Sequence, residues 1–192
     1  MLHRVSRAVI VRPLLETPVR PNHLTALRLV TGLAAAGALA LGYHPWIAVG
    51  GGLFVVSMLL DRADGDLARL TGRTSPGGHV FDLVTDSLCN SLIFVGLAIG
   101  LVGSDLGWWA ILLGALAGGG VAAVLFLVLR VEAAEGQGAA GSPSAGAFDA
   151  DDAMLAIPGA VWLGLSLELL VAAAIGAPLF ALYFVWRLSR RS

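Results

Sequence analysis

The sequence predicts an all-α integral membrane protein with six transmembrane helices and an N-terminal amphipathic surface helix. Hydrophobic residues make up 57% of its 192 residues, whereas charged residues make up only 13%. The mean hydropathy of +0.84 lies far above the range of ordinary soluble domains. The net charge is -1, so the composition gives no sign of a nucleic-acid partner, and we expect none.

The first element is a predicted cytoplasmic juxtamembrane segment, residues 1–21. Leu2, Val5 and Val9 recur at helical spacing with arginines between them, which favours an amphipathic helix on the anionic inner leaflet. Three prolines are expected to end this helix: Pro13, Pro18 and Pro21. A disordered basic tail is the alternative interpretation.

The remaining residues, 22–192, form the predicted six-helix membrane domain. A helix needs about 20 apolar residues to cross the hydrocarbon core. The predicted spans are residues 22–43, 46–71, 79–103, 107–130, 152–165 and 167–188. The fifth span is short, and we expect a turn near Leu165 because one helix over 153–187 would be about 50 Å long.

The arginines predict which connections face the cytoplasm, where basic residues collect in membrane proteins. They lie before the first span, between the second and third, at the end of the fourth and after the sixth, whereas the opposite loops, GYHPW and GSDLG, contain none. Both termini and segment 61–86 are therefore expected on the cytoplasmic side of the cell (inner) membrane. Arg28 and Arg62 fall inside spans, where they reach the interface or face a polar cavity.

Segment 61–86 contains five aspartates, although ionised groups are costly in a bilayer. If the second span continues as a helix, Asp61 and Asp64 share one face with Gly65 and Ala68. Asp66 points away from that face and is expected to be a solvated charge.

The third span carries a second pair of acids, Asp82 and Asp86, which are four residues apart and lie on one helical face. Between the two pairs, LTGRTSPGG contains three glycines and a proline, which are turn residues. Two antiparallel helices would therefore bring four carboxylates together at the cytoplasmic membrane boundary.

Four neighbouring carboxylates predict a site for divalent metal ions, because they repel one another unless a cation binds. Hard oxygen ligands select Mg²⁺ or Mn²⁺. Two ions about 4 Å apart would clamp a diphosphate and stabilise the charge on the leaving phosphate. Gly65 and Ala68 would let that diphosphate approach the helix, and Arg69 supplies a planar cation for phosphate oxygens.

Segment 61–86 resembles the signature of the CDP-alcohol phosphatidyltransferase family. Written as a pattern it is D-x2-D-G-x2-A-R-x8-G-x3-D-x3-D, with Gly78 as the glycine between the two acid pairs. Pro21, Asn22 and Thr25 form a P-N-x-x-T sequence that the family often shows at the start of its first span.

The resemblance implies a homodimeric membrane enzyme that transfers a phosphatidyl or related group from a CDP-activated donor to a hydroxyl and releases CMP. It implies two divalent cations, one held by Asp61, Asp64 and Asp82 and the other by Asp61, Asp82 and Asp86. Asp86 would also be the base that takes the proton of the acceptor hydroxyl. The implied nucleotide and diphosphate contacts are Asn22, Thr25, Gly65, Ala68, Arg69 and Ser75.

The acceptor stays open at this stage, as does the choice among CDP-diacylglycerol, an archaeal-type lipid analogue and a CDP-alcohol as donor. A phosphorylated acceptor needs cations in the membrane cavity. Arg130 is the first candidate, followed by Arg73, His79 and Arg187. An uncharged polyol or an amino alcohol would not need them.

Two other functions compete with this interpretation. A membrane prenyltransferase also binds a diphosphate through Asp-bound Mg²⁺, although such enzymes resemble longer chains with more spans. A cation or proton transporter also carries intramembrane acids. Transport predicts acids near mid-bilayer in several helices, whereas the acids here collect at one edge.

Overall fold

The computed structural model describes residues 6–136, 144–145, 148–149 and 154–190. A π-helical turn, Arg7–Val11, precedes the α-helices α1 (Arg12–Leu14), α2 (Pro21–Ala40), α3 (Trp46–Thr71), α4 (Pro76–Gly100), α5 (Trp109–Glu135), α6 (Ala156–Trp162) and α7 (Ser166–Ser189). Two short antiparallel strands, β1 (Ser144–Ala145) and β2 (Phe148–Asp149), pair with each other.

Five helices in the described part of the chain are long and apolar enough to cross a membrane: α2, α3, α4, α5 and α7. The prediction of an integral membrane protein built from helices is therefore confirmed. The count of six spans is not confirmed. Where the fifth span was predicted, at 152–165, the structure has α6, whose seven residues extend only about 10 Å. Residues 152 and 153 lie outside the described residues.

Four helix termini meet at one end of the bundle, which we call the aspartate end, where α3 ends and α4 begins. α5 also ends there, since His79 in the first turn of α4 lies 2.9 Å from Glu132. α2 begins there, because the Asn22 side chain lies beside Gly78. The turns and termini at this end therefore enclose the space next to the aspartates.

α6 lies at the opposite end of the bundle. Trp162 Nε1 donates a hydrogen bond of 3.1 Å to the carbonyl of Ala48, near the start of α3. Glu135, which ends α5, and Ala156, which begins α6, therefore lie at opposite ends. Most of the connection predicted at 135–152 lies outside the described residues.

The N-terminal segment packs against α3. Ser6 is buried and its hydroxyl donates a hydrogen bond of 3.0 Å to the carbonyl of Leu59. Val11 is fully buried in a cluster with Ala63 and Leu67 of α3. The predicted amphipathic surface helix is not confirmed. Of its apolar face, Val9 is 67% exposed, and residues 2 and 5 lie outside the described residues.

Close packing fixes α2 against α4. A Cβ atom at Gly96 of α4 would lie only 2.8 Å from the carbonyl carbon of Ala36 in α2, so the two backbones touch where no side chain intervenes. Buried Leu39, Phe54 and Ile93 fill the core among α2, α3 and α4. These three helices therefore form the rigid unit that carries the predicted site.

Candidate active site

A short turn positions the two pairs of acids. Gly72 ends α3 with a φ of 65°, a left-handed conformation that glycine adopts easily. The Ser75 hydroxyl accepts a hydrogen bond of 3.0 Å from the Gly78 N–H, which caps α4. Pro76 is the first residue of α4, so this helix starts earlier than the predicted residue 79. The turn reverses the chain, so that α3 and α4 run antiparallel and both pack against α2.

Three of the four aspartates in the signature converge directly. Asp61, Asp64 and Asp82 each offer a carboxylate oxygen, and these oxygens lie within 4.8 Å of one another. Opposite ligands of a Mg²⁺ ion bound at about 2.1 Å lie about 4.2 Å apart, so small side-chain movements would complete its coordination. The donor set, all carboxylate oxygen, fits a hard divalent cation.

Thr25 supports this cluster from α2. It is 3% exposed, and its hydroxyl donates a hydrogen bond of 2.7 Å to Asp64 Oδ2. The hydrogen bond fixes the carboxylate of Asp64, leaving its other oxygen for a ligand. The resemblance implied a nucleotide contact for Thr25, and in the structure its hydroxyl contacts a candidate metal ligand.

Arg28 of α2 lies in the middle of the remaining acids and is 3% exposed. Its Nη1 is 2.5 Å from Asp61 Oδ1 and 3.6 Å from Asp82 Oδ1, and its Nη2 donates to Asp86 Oδ1. A buried guanidinium is stable only when it is paired in this way. Arg28 therefore joins α2 to the acids of both α3 and α4.

Asp86 is held by two donors that use the same oxygen. Besides Arg28, Asn90 Nδ2 donates a hydrogen bond of 2.7 Å to Asp86 Oδ1. The Asp86 side chain is still 40% exposed. One oxygen is thus anchored inside the bundle, while the carboxylate remains accessible to a ligand.

A cavity of about 300 Å³ opens at the aspartate end beside this cluster. Asp64 and Asp82 line it, whereas Asp61 and Asp86 do not. The cavity is also lined by all the residues that the resemblance assigned to the nucleotide and diphosphate: Asn22, Thr25, Gly65, Ala68, Arg69 and Ser75. A neighbouring cavity of about 530 Å³ is lined by Arg20 and Arg73 and shares Asn22 and Ser75 with the first. The predicted donor contacts thus all line one cavity.

Because Gly78 of the signature has no side chain, there is room beside it for two polar side chains at the mouth of the cavity. A Cβ atom there would lie 2.9 Å from Ser75 Oγ and 3.0 Å from Asn22 Oδ1. Both distances are shorter than an ordinary van der Waals contact, so any larger residue would displace one side chain. Adjacent Gly77 has nothing within 4 Å of its Cβ position.

The expectation that Asp66 is a solvated charge is wrong. Asp66 is 6% exposed, and its Oδ1 accepts a hydrogen bond of 2.7 Å from Arg69 Nη2. Ala63, one turn earlier on α3, packs against Val11 of the N-terminal segment, which covers that side of the helix. Asp66 does point away from the other acids, as predicted. Its contact holds Arg69, which is 67% exposed, at the rim of the cavity.

Of the predicted acceptor cations, Arg73 and His79 line the cavity beside the carboxylate cluster, whereas Arg130 does not. Arg130 is exposed and lies two residues before Glu132, about 200° around α5, so it faces away from His79. His79 lines the cavity, but it is 2.9 Å from Glu132 Oε2. The pair links α4 to α5.

Arg28 and Asn90 are the two residues that the sequence analysis did not assign to the site. Signals for both were present. Arg28 is a charge inside a span, three residues after Thr25 and on the same helical face. Asn90 follows Asp86 by four residues, which stacks the two side chains.

Comparisons with known proteins match most of the chain to one family. Residues 18–186 match the family model described as CDP-alcohol phosphatidyltransferase. A bifunctional IPC transferase and DIPP synthase from Rubrobacter xylanophilus is 38% identical over 87 residues, which is 45% of this chain and only 19% of that protein.

The fold also has a close structural counterpart. It is similar, with a TM-score of 0.71, to the crystal structure of phosphatidylinositol phosphate synthase from Mycobacterium tuberculosis with CDP-DAG bound. The similarity covers 95% of this chain and 94% of that one at 19% identity, which establishes the shared fold. The family match spans nearly the whole chain, and the chain therefore belongs to the CDP-alcohol phosphatidyltransferase family.

Proposed function

We propose that this protein transfers a phosphatidyl group from CDP-diacylglycerol to the hydroxyl of a polar acceptor and releases CMP. One observation carries the proposal. Three carboxylate oxygens lie within 4.8 Å of one another, and two of their residues, Asp64 and Asp82, line a cavity together with Gly65, Ala68, Arg69 and Gly78 of the family signature. The fold counterpart was solved with CDP-DAG bound, which supports a CDP-linked lipid as the donor.

Two divalent cations, Mg²⁺ or Mn²⁺, are the proposed cofactors. Asp61, Asp64 and Asp82 would hold one ion, and Asp61, Asp82 and Asp86 the other. Bound there, the ions would neutralise the diphosphate and stabilise the CMP leaving group as the phosphate bond breaks. Thr25 keeps the Asp64 carboxylate oriented for its ion.

The cavity side chains bind the donor. Gly65 has no side chain and Ala68 has only a methyl group, so a diphosphate can reach the acids along α3 without steric hindrance. Arg69, oriented by Asp66, donates from the rim to phosphate oxygens. Ser75 and Asn22 supply polar groups for the nucleotide at the mouth of the cavity.

Asp86 receives the acceptor from another direction. It lies one helical turn deeper in α4 than Asp82 and does not line the donor cavity, yet its side chain is 40% exposed. The acceptor hydroxyl therefore approaches the phosphorus from the side away from the nucleotide. Asp86 takes the hydroxyl proton while Asn90 holds its Oδ1 in place.

The proposed setting is the cell (inner) membrane, with both termini and the aspartate end in the cytoplasm. Support comes from the arginines at the aspartate end, among them Arg20, Arg69 and Arg73, and from the opposite loops, which have none. We also propose a homodimer, as the family resemblance implies. The mass of the protein in detergent tests that assembly.

The direct test incubates the purified protein with CDP-diacylglycerol, Mg²⁺ or Mn²⁺ and a panel of acceptors. The panel contains glycerol phosphate, inositol phosphate, inositol, glycerol and serine, and both CMP and the lipid product are measured. We expect CMP release that depends on one acceptor and is abolished by a chelator. Asp105→Asn is the matched control, because Asp105 is exposed in the loop at the opposite end and should keep full activity. Absence of CMP release with every acceptor would contradict the proposal.

A further inference from the structure

Arg28 contacts a particular subset of the four acids. Its guanidinium reaches Asp61, Asp82 and Asp86, and these are the three carboxylates proposed to hold the second cation. We propose that Arg28 fills the second cation position in the metal-free protein and competes with a divalent ion for it. Asp61 and Asp82 belong to both positions and contact Arg28 through their Oδ1 atoms, so the first ion binds through Asp64 and their Oδ2 atoms without displacing the arginine. The second ion binds only as Arg28 gives up its carboxylates.

The two cation positions differ in their surroundings. Asp64 has no ion pair with Arg28 among the described contacts and is instead held by the neutral hydroxyl of Thr25. Asp64 and Asp82 both border the donor cavity, so an ion reaches them from solvent. Asp61 and Asp86, in contrast, point to the guanidinium behind the cavity. The position that includes Asp64 is therefore open, and the other is filled.

Repulsion between the carboxylates explains why a cation is needed behind the cavity. Carboxylates in a low-dielectric interior repel one another strongly, so an unoccupied cluster would be unstable without a positive charge. The guanidinium supplies one charge and a planar fork that spans both Asp61 and Asp86. A divalent ion supplies twice that charge at the same ligands, which gives it the means to displace the side chain.

The backbone of Arg28 is firmly held, so only its side chain can yield. Its carbonyl accepts hydrogen bonds from Ser57 Oγ at 3.2 Å and from Thr31 Oγ1 at 3.0 Å. Displacement of the guanidinium breaks its three charged contacts, and this cost lowers the affinity of the second ion relative to the first. The inference rests on the metal-dependent transfer proposed above, but it concerns the order of ion binding.

The test titrates Mn²⁺ into purified, metal-free protein without donor or acceptor and counts bound ions by electron paramagnetic resonance. We expect one tight and one weaker ion in the natural protein. In Arg28→Gln the second ion should bind at least tenfold more tightly, a change of about 1.4 kcal/mol. Arg130→Gln, a matched change on the exposed face of α5, should leave both affinities as they are. A second ion that binds Arg28→Gln equally or more weakly overturns the proposal.

Stability measurements guard against a variant that does not fold. Metal-free Arg28→Gln should melt at a lower temperature than the natural protein, and Mn²⁺ should raise its melting temperature by more. Arg28→Lys keeps the charge but lacks the fork, so its second ion should also bind more tightly than in the natural protein. If Arg28→Gln cannot be purified, a weaker or unchanged second ion in Arg28→Lys overturns the proposal. The ion-binding experiment does not measure transfer. Its result therefore tests the order of ion binding separately from the proposed CDP-dependent reaction, and either proposal can fail without the other.

Discussion

The hydroxyl of Thr25 donates a hydrogen bond of 2.7 Å to Asp64 Oδ2 and so joins α2 to α3 beside the candidate metal site. Removing a partner of a metal ligand typically weakens metal binding by about 10-fold to 100-fold. We therefore expect Thr25→Val to raise the Mg²⁺ or Mn²⁺ concentration needed for half-maximal transfer. Thr25→Ser keeps the hydroxyl and should stay near the natural value. Equal metal dependence in the two variants would contradict a supporting role for this hydrogen bond.

Substitutions of Asp86 and of Asp61 should have different effects on transfer and on donor binding. Asp86→Asn removes the proposed base, so we expect transfer to fall at least about 100-fold. Much of the CDP-donor binding should remain, because Asp86 does not line the donor cavity. Asp61→Asn should lose both activity and donor binding, since Asp61 is proposed to hold both ions. Transfer rates and equilibrium binding of the donor, measured on the same preparations, check the distinction, and full activity in either variant would refute these roles.

Asn90 positions Asp86 and should affect turnover more than donor binding. Loss of a hydrogen bond to a charged group costs about 1.5 kcal/mol, which corresponds to roughly tenfold in rate. We expect Asn90→Ala to lower kcat by this amount and to leave the KM for the CDP donor nearly unchanged. An increase in donor KM with an unchanged kcat would show that Asn90 acts elsewhere.

Two adjacent glycines provide a controlled test of the cavity mouth. A methyl group at Gly78 would lie about 3 Å from both Ser75 Oγ and Asn22 Oδ1, and moving the Ser75 hydroxyl would weaken the N-cap of α4, which is worth about 1 kcal/mol. Gly78→Ala should therefore lower the melting temperature and raise the KM for the donor. Gly77→Ala meets nothing within 4 Å and should leave both values unchanged. Similar effects of the two substitutions would contradict the crowding found only at Gly78.

A second glycine pair tests the contact between α5 and α7. A Cβ atom at Gly120 would lie 2.7 Å from backbone atoms of Ala177 and Pro178, whereas the Cβ position of Gly119 has nothing within 4 Å. Gly120→Ala should force the helices apart and destabilise the protein by about 1–3 kcal/mol. Gly119→Ala should be neutral. Thermal unfolding in detergent measures both, and an unaffected Gly120→Ala would rule out this close crossing.

Periodicity and hydropathy predicted much of the helical framework. The bounds of α3, Trp46–Thr71, coincide with the predicted second span. The spacing of Asp61 and Asp64, and of Asp82 and Asp86, placed each pair on one face of its helix. These features were predictable because they depend on local sequence: apolar length, turn residues and the angle between successive residues.

Features that depend on neighbouring elements were not predictable in this way. Helical spacing showed that Asp66 points away from the other acids, but it could not show that the Asp66 side chain is buried. In the same way, Arg28 was recognised as a charge inside a span, yet its three carboxylate partners lie on two other helices. Spacing identifies a face, whereas burial depends on what packs against it.

The short helix α6 shows a limit of hydropathy. Residues 152–165 are apolar, and an apolar run of this length is often a buried core helix as well as part of a span. Ile157 and Val161 of α6 are 2% and 3% exposed, in the same core as Phe54 of α3. Their apolar character is therefore explained by contacts with other helices.

Among the described residues, the carboxylates, their arginine and their hydrogen-bonding supports all come from α2, α3 and α4. The later helices reach this region through Glu132, which contacts His79, and through Val128 and Phe184, which pack with Leu83. Under the proposed function, the residues that activate the donor all lie in the first half of the chain. Chimeras that exchange α5–α7 between family members should keep the CDP-linked donor and change the acceptor. Donor use and acceptor choice would then be determined by different parts of the chain.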